Sequence, residues 1–146
     1  MLYGYKTAVL TINWGIYMVF ERTTSQVLFD NGTHKCISFT SLVKGEGVQA
    51  NQFLIIDHER AAVLDPGGDL TYVPLTMELN KYTRLTHLDY VMASHQDPDI
   101  ITSMPSWLVY TDAKVAASRL GARFLPHINS AFMSERMKGN WLDRLV

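Results

Sequence analysis

From residue 26 onward, short apolar runs alternate with polar breaks that carry turn-forming residues. In "VLFDNGTHKCISFTS" two apolar stretches flank Asp30, Asn31 and Gly32, a combination that predicts a tight hairpin. "GVQANQFLIID" and "RAAVLDPGG" predict two further strands, joined by a polar tip at Asp57, His58, Glu59 and Arg60. The chain therefore opens as a β meander. After "DPGGDLT" the period changes, and Val73, Leu75, Met77 and Leu79 predict a short amphipathic helix running to about Tyr82. "LDYVMAS" reads as a buried strand, "PDIITSMPSWLVY" as a helix bent or interrupted by Pro105, and "AKVAAS" as another strand. The order ββ(β)αβαβ predicts an α/β domain in which a sheet and helices pack as layers.

Residues 1–25 stand apart. Positions 8 to 20 form an apolar run interrupted only by Thr, Asn and Gly, too short to span a bilayer comfortably. No basic stretch precedes it and no small-residue cleavage signature follows it, which argues against a signal peptide. Its β-branched and aromatic residues suit a strand. The expected organisation is an N-terminal extension over 1–25 and a domain over 26–146.

Composition adds mainly exclusions. A length of 146 residues is one domain's worth of chain. Thirteen basic and 14 acidic residues give a net charge of −1 with no basic stripe, which argues against nucleic acid as a partner. Cys36 is the single cysteine, so an internal disulfide framework and a cysteine-based zinc site are both excluded. A cytoplasmic compartment and no membrane association are the resulting expectations.

The candidate chemistry sits in "ASHQDPDIITS". His95, Asp97 and Asp99 fall where a strand ends and a helix begins, at the carboxyl edge of the strands where sites form in open α/β sheets. In an extended loop alternate residues project to the same side, so one imidazole and two carboxylates could converge on a divalent ion, with iron, zinc or manganese admissible. A purely structural reading competes. Asp97 suits an N-cap, Pro98 the first helical position and Asp99 the positive end of the helix dipole, although this leaves His95 unexplained. Asp65, in "AAVLDPGG", is a second acidic residue at a strand end, and its competing role is to cap the turn before Gly67 and Gly68.

Taken in order, "LFDNGTHKCISF", "GEGVQANQFLIID", "LDPGGDLTY", "LDYVMASHQDPDIITS" and "RFLPH" resemble the metallo-β-lactamase fold. More narrowly, they resemble its flavodiiron-related branch, which includes stand-alone oxygen-binding di-iron proteins. The resemblance covers residues 26 to 145. It implies a fold that is the first half of an αββα sandwich, truncated. By position, His95 matches the first histidine of that family's metal motif. Asp97 stands where hydrolases have a second histidine and flavodiiron proteins a glutamate, and Asp99 matches the motif aspartate. Ile100 replaces the closing histidine, which removes a nitrogen ligand from the second metal. Asp65 matches the acidic residue that supports the site by orienting a metal-bound histidine.

The remaining ligands of that family lie well beyond the motif, whereas only 47 residues follow Asp99 here. His127 is read as structural, and His34, His58 and His87 as surface or packing residues. The chain ends in "SERMKGNWLDRLV" without a stop signal and reads as a fragment. The resemblance implies dioxygen chemistry at a non-haem di-iron centre, with zinc as the alternative metal and an electron-transfer protein as a partner. Nothing in the chain encodes a flavin domain, so binding or sensing stands beside turnover. A zinc hydrolase is the competing enzyme, against which Asp97 and Ile100 both argue. A metal-free half-domain acting by assembly is the third reading. Loss of the second sheet would leave "FLII", "AAVL" and "YVMA" without cover, so the chain alone is expected to be inactive and to self-associate.

Overall fold

The computed structural model describes residues 24–128 and 142–146, together with the backbone of two strands within residues 6–21. Those two strands, β1 (Lys6–Ile12) and β2 (Gly15–Glu21), pair antiparallel as a separate two-stranded sheet. The rest of the N-terminal extension, and the tail "SERMKGNWLDRLV" up to Trp141, lie outside the described residues.

The main sheet has six strands: β3 (Ser25–Asp30), β4 (His34–Phe39), β5 (Gln52–Asp57), β6 (Arg60–Leu64), β7 (Leu88–Ala93) and β8 (Lys114–Ala117), in that spatial order. The first four form the predicted antiparallel meander. Asp30 Oδ1 and Asn31 Oδ1 accept main-chain N–H bonds from Gly32, Thr33 and His34 at 2.7–3.2 Å, so the side chains themselves close the first turn. β6, β7 and β8 are parallel, each joined to the next through helices.

Strand alternation divides the sheet into two unlike faces. Ile37, Leu54, Val63, Val91 and Val115 stand in register across five strands, and all are fully buried. On the opposite face the register row is Phe29, Cys36, Ile55, Ala62, Tyr90 and Lys114. Phe29 is 53%, Ile55 41% and Tyr90 39% exposed, so this face has no covering layer among the described residues. This is the first layer pair of the expected αββα sandwich, with helices on one side only.

The covering helices are α1 (Tyr72–Leu79), α2 (Pro98–Ile101), α3 (Met104–Tyr110) and α4 (Arg119–Ile128). The apolar face expected for α1 needs correction. Leu75 and Leu79 are buried, but Val73 and Met77 are exposed. Residues two apart on a helix are separated by about 200°, so a helix that buries the 75/79 row turns the 73/77 row to solvent. Tyr72 completes the buried side, its ring edge-on to Trp107 at 5.1 Å. The expected break in the next helix falls at Thr102 and Ser103, and Pro105 lies in the first turn of α3, where its missing N–H is harmless. α4 lies against α2 and β8 and buries Leu125. Arg144, whose pKa is pushed down by burial, donates to the carbonyls of Leu108, Thr111 and Ala113 and fastens the last residues beside β8. No helix of the described residues is long and apolar enough to cross a membrane.

Candidate metal centre

Because β6 and β7 run parallel, Asp65 and Ser94 follow them at the same sheet edge. Asp65 is buried and left-handed (φ 56°), a conformation that short polar side chains tolerate better than most. Its N–H donates to the Met92 carbonyl at 2.8 Å. The carboxylate does not cap the glycine turn. Oδ1 accepts from the Ser94 N–H and Oδ2 from the Ser94 hydroxyl, both at 2.8 Å.

The Ser94 hydroxyl, its proton committed to Asp65, accepts from His95 Nδ1 at 2.8 Å. That assignment places the imidazole proton on Nδ1 and leaves a lone pair on Nε2. Nε2 faces Asp97 Oδ2 at 3.5 Å. Asp97 occupies the N-cap position of α2, yet its side chain makes no capping hydrogen bond, and 61% of it is exposed. The backbone carbonyl of Asp97 instead receives the Ile100 and Ile101 amides. The carboxylate therefore remains available to a cation. Donor atoms bound to one ion at about 2.1 Å each stand roughly 3 to 3.5 Å apart, so this imidazole and carboxylate fit a shared divalent metal.

Asp99 is not brought into this pair. It sits in the first turn of α2 and lines a cleft with Gly68, Asp69, Leu70 and Pro98. Ile100 is packed in the core at 7% exposure and offers no donor. The loop that carries Asp65 is clamped from behind. The Gly67 N–H donates to the Ile100 carbonyl at 2.8 Å, and the Gly67 carbonyl receives the Ser103 N–H at 3.1 Å. The Ser103 hydroxyl donates to the Pro66 carbonyl at 3.0 Å and accepts from the Trp107 indole at 3.3 Å. The break between α2 and α3 is what frees Ser103 to reach back.

Sequence reasoning missed Ser94, although its place between a strand end and His95 is where a hydroxyl can link a carboxylate to an imidazole. It also missed a second group. Among the described residues, the one set of three His, Cys, Asp or Glu side chains with ligand atoms within 4.8 Å of one another is His34, Asp57 and His58, at the opposite sheet edge. His127 is exposed in the last turn of α4.

Comparison with known proteins bears on this geometry. Residues 48–142 match the model of a family described as ODP family beta lactamase. A curated relative from Synechocystis sp., "Putative diflavin flavoprotein A 4", is 35% identical over 96 residues, covering 62% of this chain and 16% of its own length. A solved structure described as "Peroxy diiron species of chemotaxis sensor ODP" aligns with a TM-score of 0.64 and 30% identity over 85% of this chain and 45% of that one. MEM-A1, a subclass B3 metallo-β-lactamase from a soil metagenome library, aligns with a TM-score of 0.53 over 62% of this chain and 32% of its own, at 18% identity, a likeness of fold alone. The chain spans less than half the length of each of these proteins.

Proposed function

This chain belongs to the ODP family of β-lactamase-fold proteins, and from that premise we propose that it carries one side of a non-haem di-iron centre that binds dioxygen. The observation that supports this most directly is the Asp65–Ser94–His95 chain of hydrogen bonds, which presents Nε2 beside the uncommitted Asp97 carboxylate. When bound, a pair of irons supplies the electrons and the open coordination positions that dioxygen chemistry needs. The protein's own groups set its geometry. Asp65 fixes Ser94, Ser94 holds the His95 tautomer, and Asp97 adds the negative charge that offsets a divalent ion. In this reading Asp99 is the further donor of the motif, and the other ligands come from the part of the domain that lies outside these residues.

Sensing and reduction both follow from such a centre. The chemotaxis sensor among the similar structures favours sensing, while reduction would draw on an electron-transfer protein. Cys36 is a free thiol, consistent with a reducing, cytoplasmic setting. The uncovered sheet face supports self-association of this stretch of chain.

Anaerobic loading with Fe(II), followed by dialysis and exposure to air, tests the proposal. At this centre we expect no more than about one weakly held iron per chain, an absorption band that changes in air, and loss of that band in His95→Asn and in Asp97→Asn. An air-sensitive band retained equally by His95→Asn would overturn it. Zinc-dependent ester or lactam hydrolysis would favour the hydrolase reading instead.

A further inference from the structure

At the edge of the sheet opposite His95, two hairpin turns meet. His34 opens β4 just after the β3–β4 turn, and Asp57 closes β5 just before His58 in the β5–β6 turn. In the β4–β5 register His34 stands directly across from Asp57. The two turns are also tied through the backbone, the His58 N–H donating to the Thr33 carbonyl at 2.7 Å. His34 Nε2 lies 3.0 Å from Asp57 Oδ1, and His58 Nδ1 lies 2.6 Å from the same oxygen. The two imidazole rings stand edge to face, 5.4 Å between centroids. All three side chains are more than half exposed.

Hydrogen bonding on the far side of His34 decides what its near side offers. The Thr33 hydroxyl donates to Asn31 Oδ1 at 3.2 Å and is 2.9 Å from His34 Nδ1, from which it therefore accepts. Neutral His34 then points the Nε2 lone pair at a carboxylate oxygen. Two electron pairs 3.0 Å apart repel unless a proton or a metal cation lies between them. The neighbouring basic side chains do not serve, because Lys35 is paired with Asp30 and Arg60 with Asp89. His58 takes a left-handed backbone (φ 55°), which turns its ring back onto Asp57.

We propose that His34, Asp57 and His58 form a surface site for a first-row divalent cation of the zinc type. Two imidazole nitrogens and one carboxylate oxygen are donors that such an ion accepts, and they leave a fourth position to water or an outside ligand. Binding moves the His58 proton from Nδ1 to Nε2 without changing the charge of the ring. It also opens the two N···O separations to about 3.3 Å, as bonds of about 2.1 Å require. Small rotations of exposed side chains achieve that. Thr33, holding Nδ1 of His34, has the orienting role that a partner of a metal-bound histidine has. The site lies at the far end of β6 from Asp65, shares no residue with the candidate iron centre, and stands or falls separately from it.

The test is nuclear magnetic resonance of the four remaining imidazoles during titration with Zn2+ alone, in the full chain carrying His95→Asn to silence the other centre. The His34 and His58 signals should shift together, at Zn2+ concentrations at least about tenfold below those that move His87 and His127. His34→Gln should abolish the early response of His58, and His58→Gln that of His34. Thr33→Val should weaken binding by roughly 10-fold or more, in the range for a partner that orients a ligand. The proposal is overturned if His34 and His58 respond no earlier than His87 and His127, or if His34→Gln leaves the response of His58 in place.

Discussion

Asp65 receives two hydrogen bonds from Ser94, one from the main chain and one from the hydroxyl, and each has a different consequence. The first holds the end of β7 against the end of β6. The second orients the proton of Ser94 and, through it, the tautomer of His95. Asp65→Ala should therefore weaken iron or zinc binding at His95 by about 10- to 100-fold, and Ser94→Ala should act in the same direction. Calorimetric titration of both variants measures this. If Ser94→Ala binds like the parent while Asp65→Ala does not, Asp65 acts by shaping the loop and not through the hydroxyl. Gln52 is a second residue of interest at this edge. The β5–β6 register sets it beside the Asp65 turn, buried, with neither amide atom hydrogen-bonded within the described chain.

The elements differ in how far local sequence determines them. Gly32 and Gly67 both have positive φ, 96° and 84°, but their surroundings are unlike. A Cβ on Gly32 would meet nothing within 4 Å, whereas one on Gly67 would lie 2.7 Å from three side-chain atoms of Thr71. Gly32→Ala should cost about 1 kcal/mol, for the backbone alone. Gly67→Ala should cost about 3 kcal/mol or more, since Thr71 is buried and cannot withdraw. Urea unfolding compares them, and equal losses would show that the Thr71 contact relaxes freely. Both hairpins were legible in the sequence because Asp30, Asn31 and Gly32, and the polar tip at 57–60, impose their turns locally. The face of α1 was not, since the spacing of Val73, Leu75, Met77 and Leu79 gives two helical rows and only packing against the sheet selects one. Likewise, sequence placed His95 and Asp97 at the strand end but could not say that the Asp97 carboxylate leaves its cap unused, or that Asp99 turns to another cleft. The pairing of His34 with Asp57 depends on the β4–β5 register, set across the connection of residues 40–51. No spacing along the chain reveals it.

At the scale of the molecule, the dominant feature is the contrast between the sheet's two faces. One row is fully buried, while its counterpart presents Phe29, Ile55 and Tyr90 to solvent. An apolar patch of this kind tends to be covered by a partner, and under the proposed self-association a second copy of this stretch would cover it. Ile55→Asp places a charge near the middle of the row, and it should shift sedimentation toward the monomer without unfolding the buried face. A parent chain that is monomeric across all concentrations would rule the association out. The same row contains the chain's single thiol. Cys36 lies between Phe29 and Ile55 in register and is only half-buried. An alkylating reagent can thus read the state of the whole surface from one atom. Rapid labelling marks a bare face, and protection that grows with protein concentration marks a shared one. The cysteine acts as a built-in footprint of whatever comes to lie against the sheet.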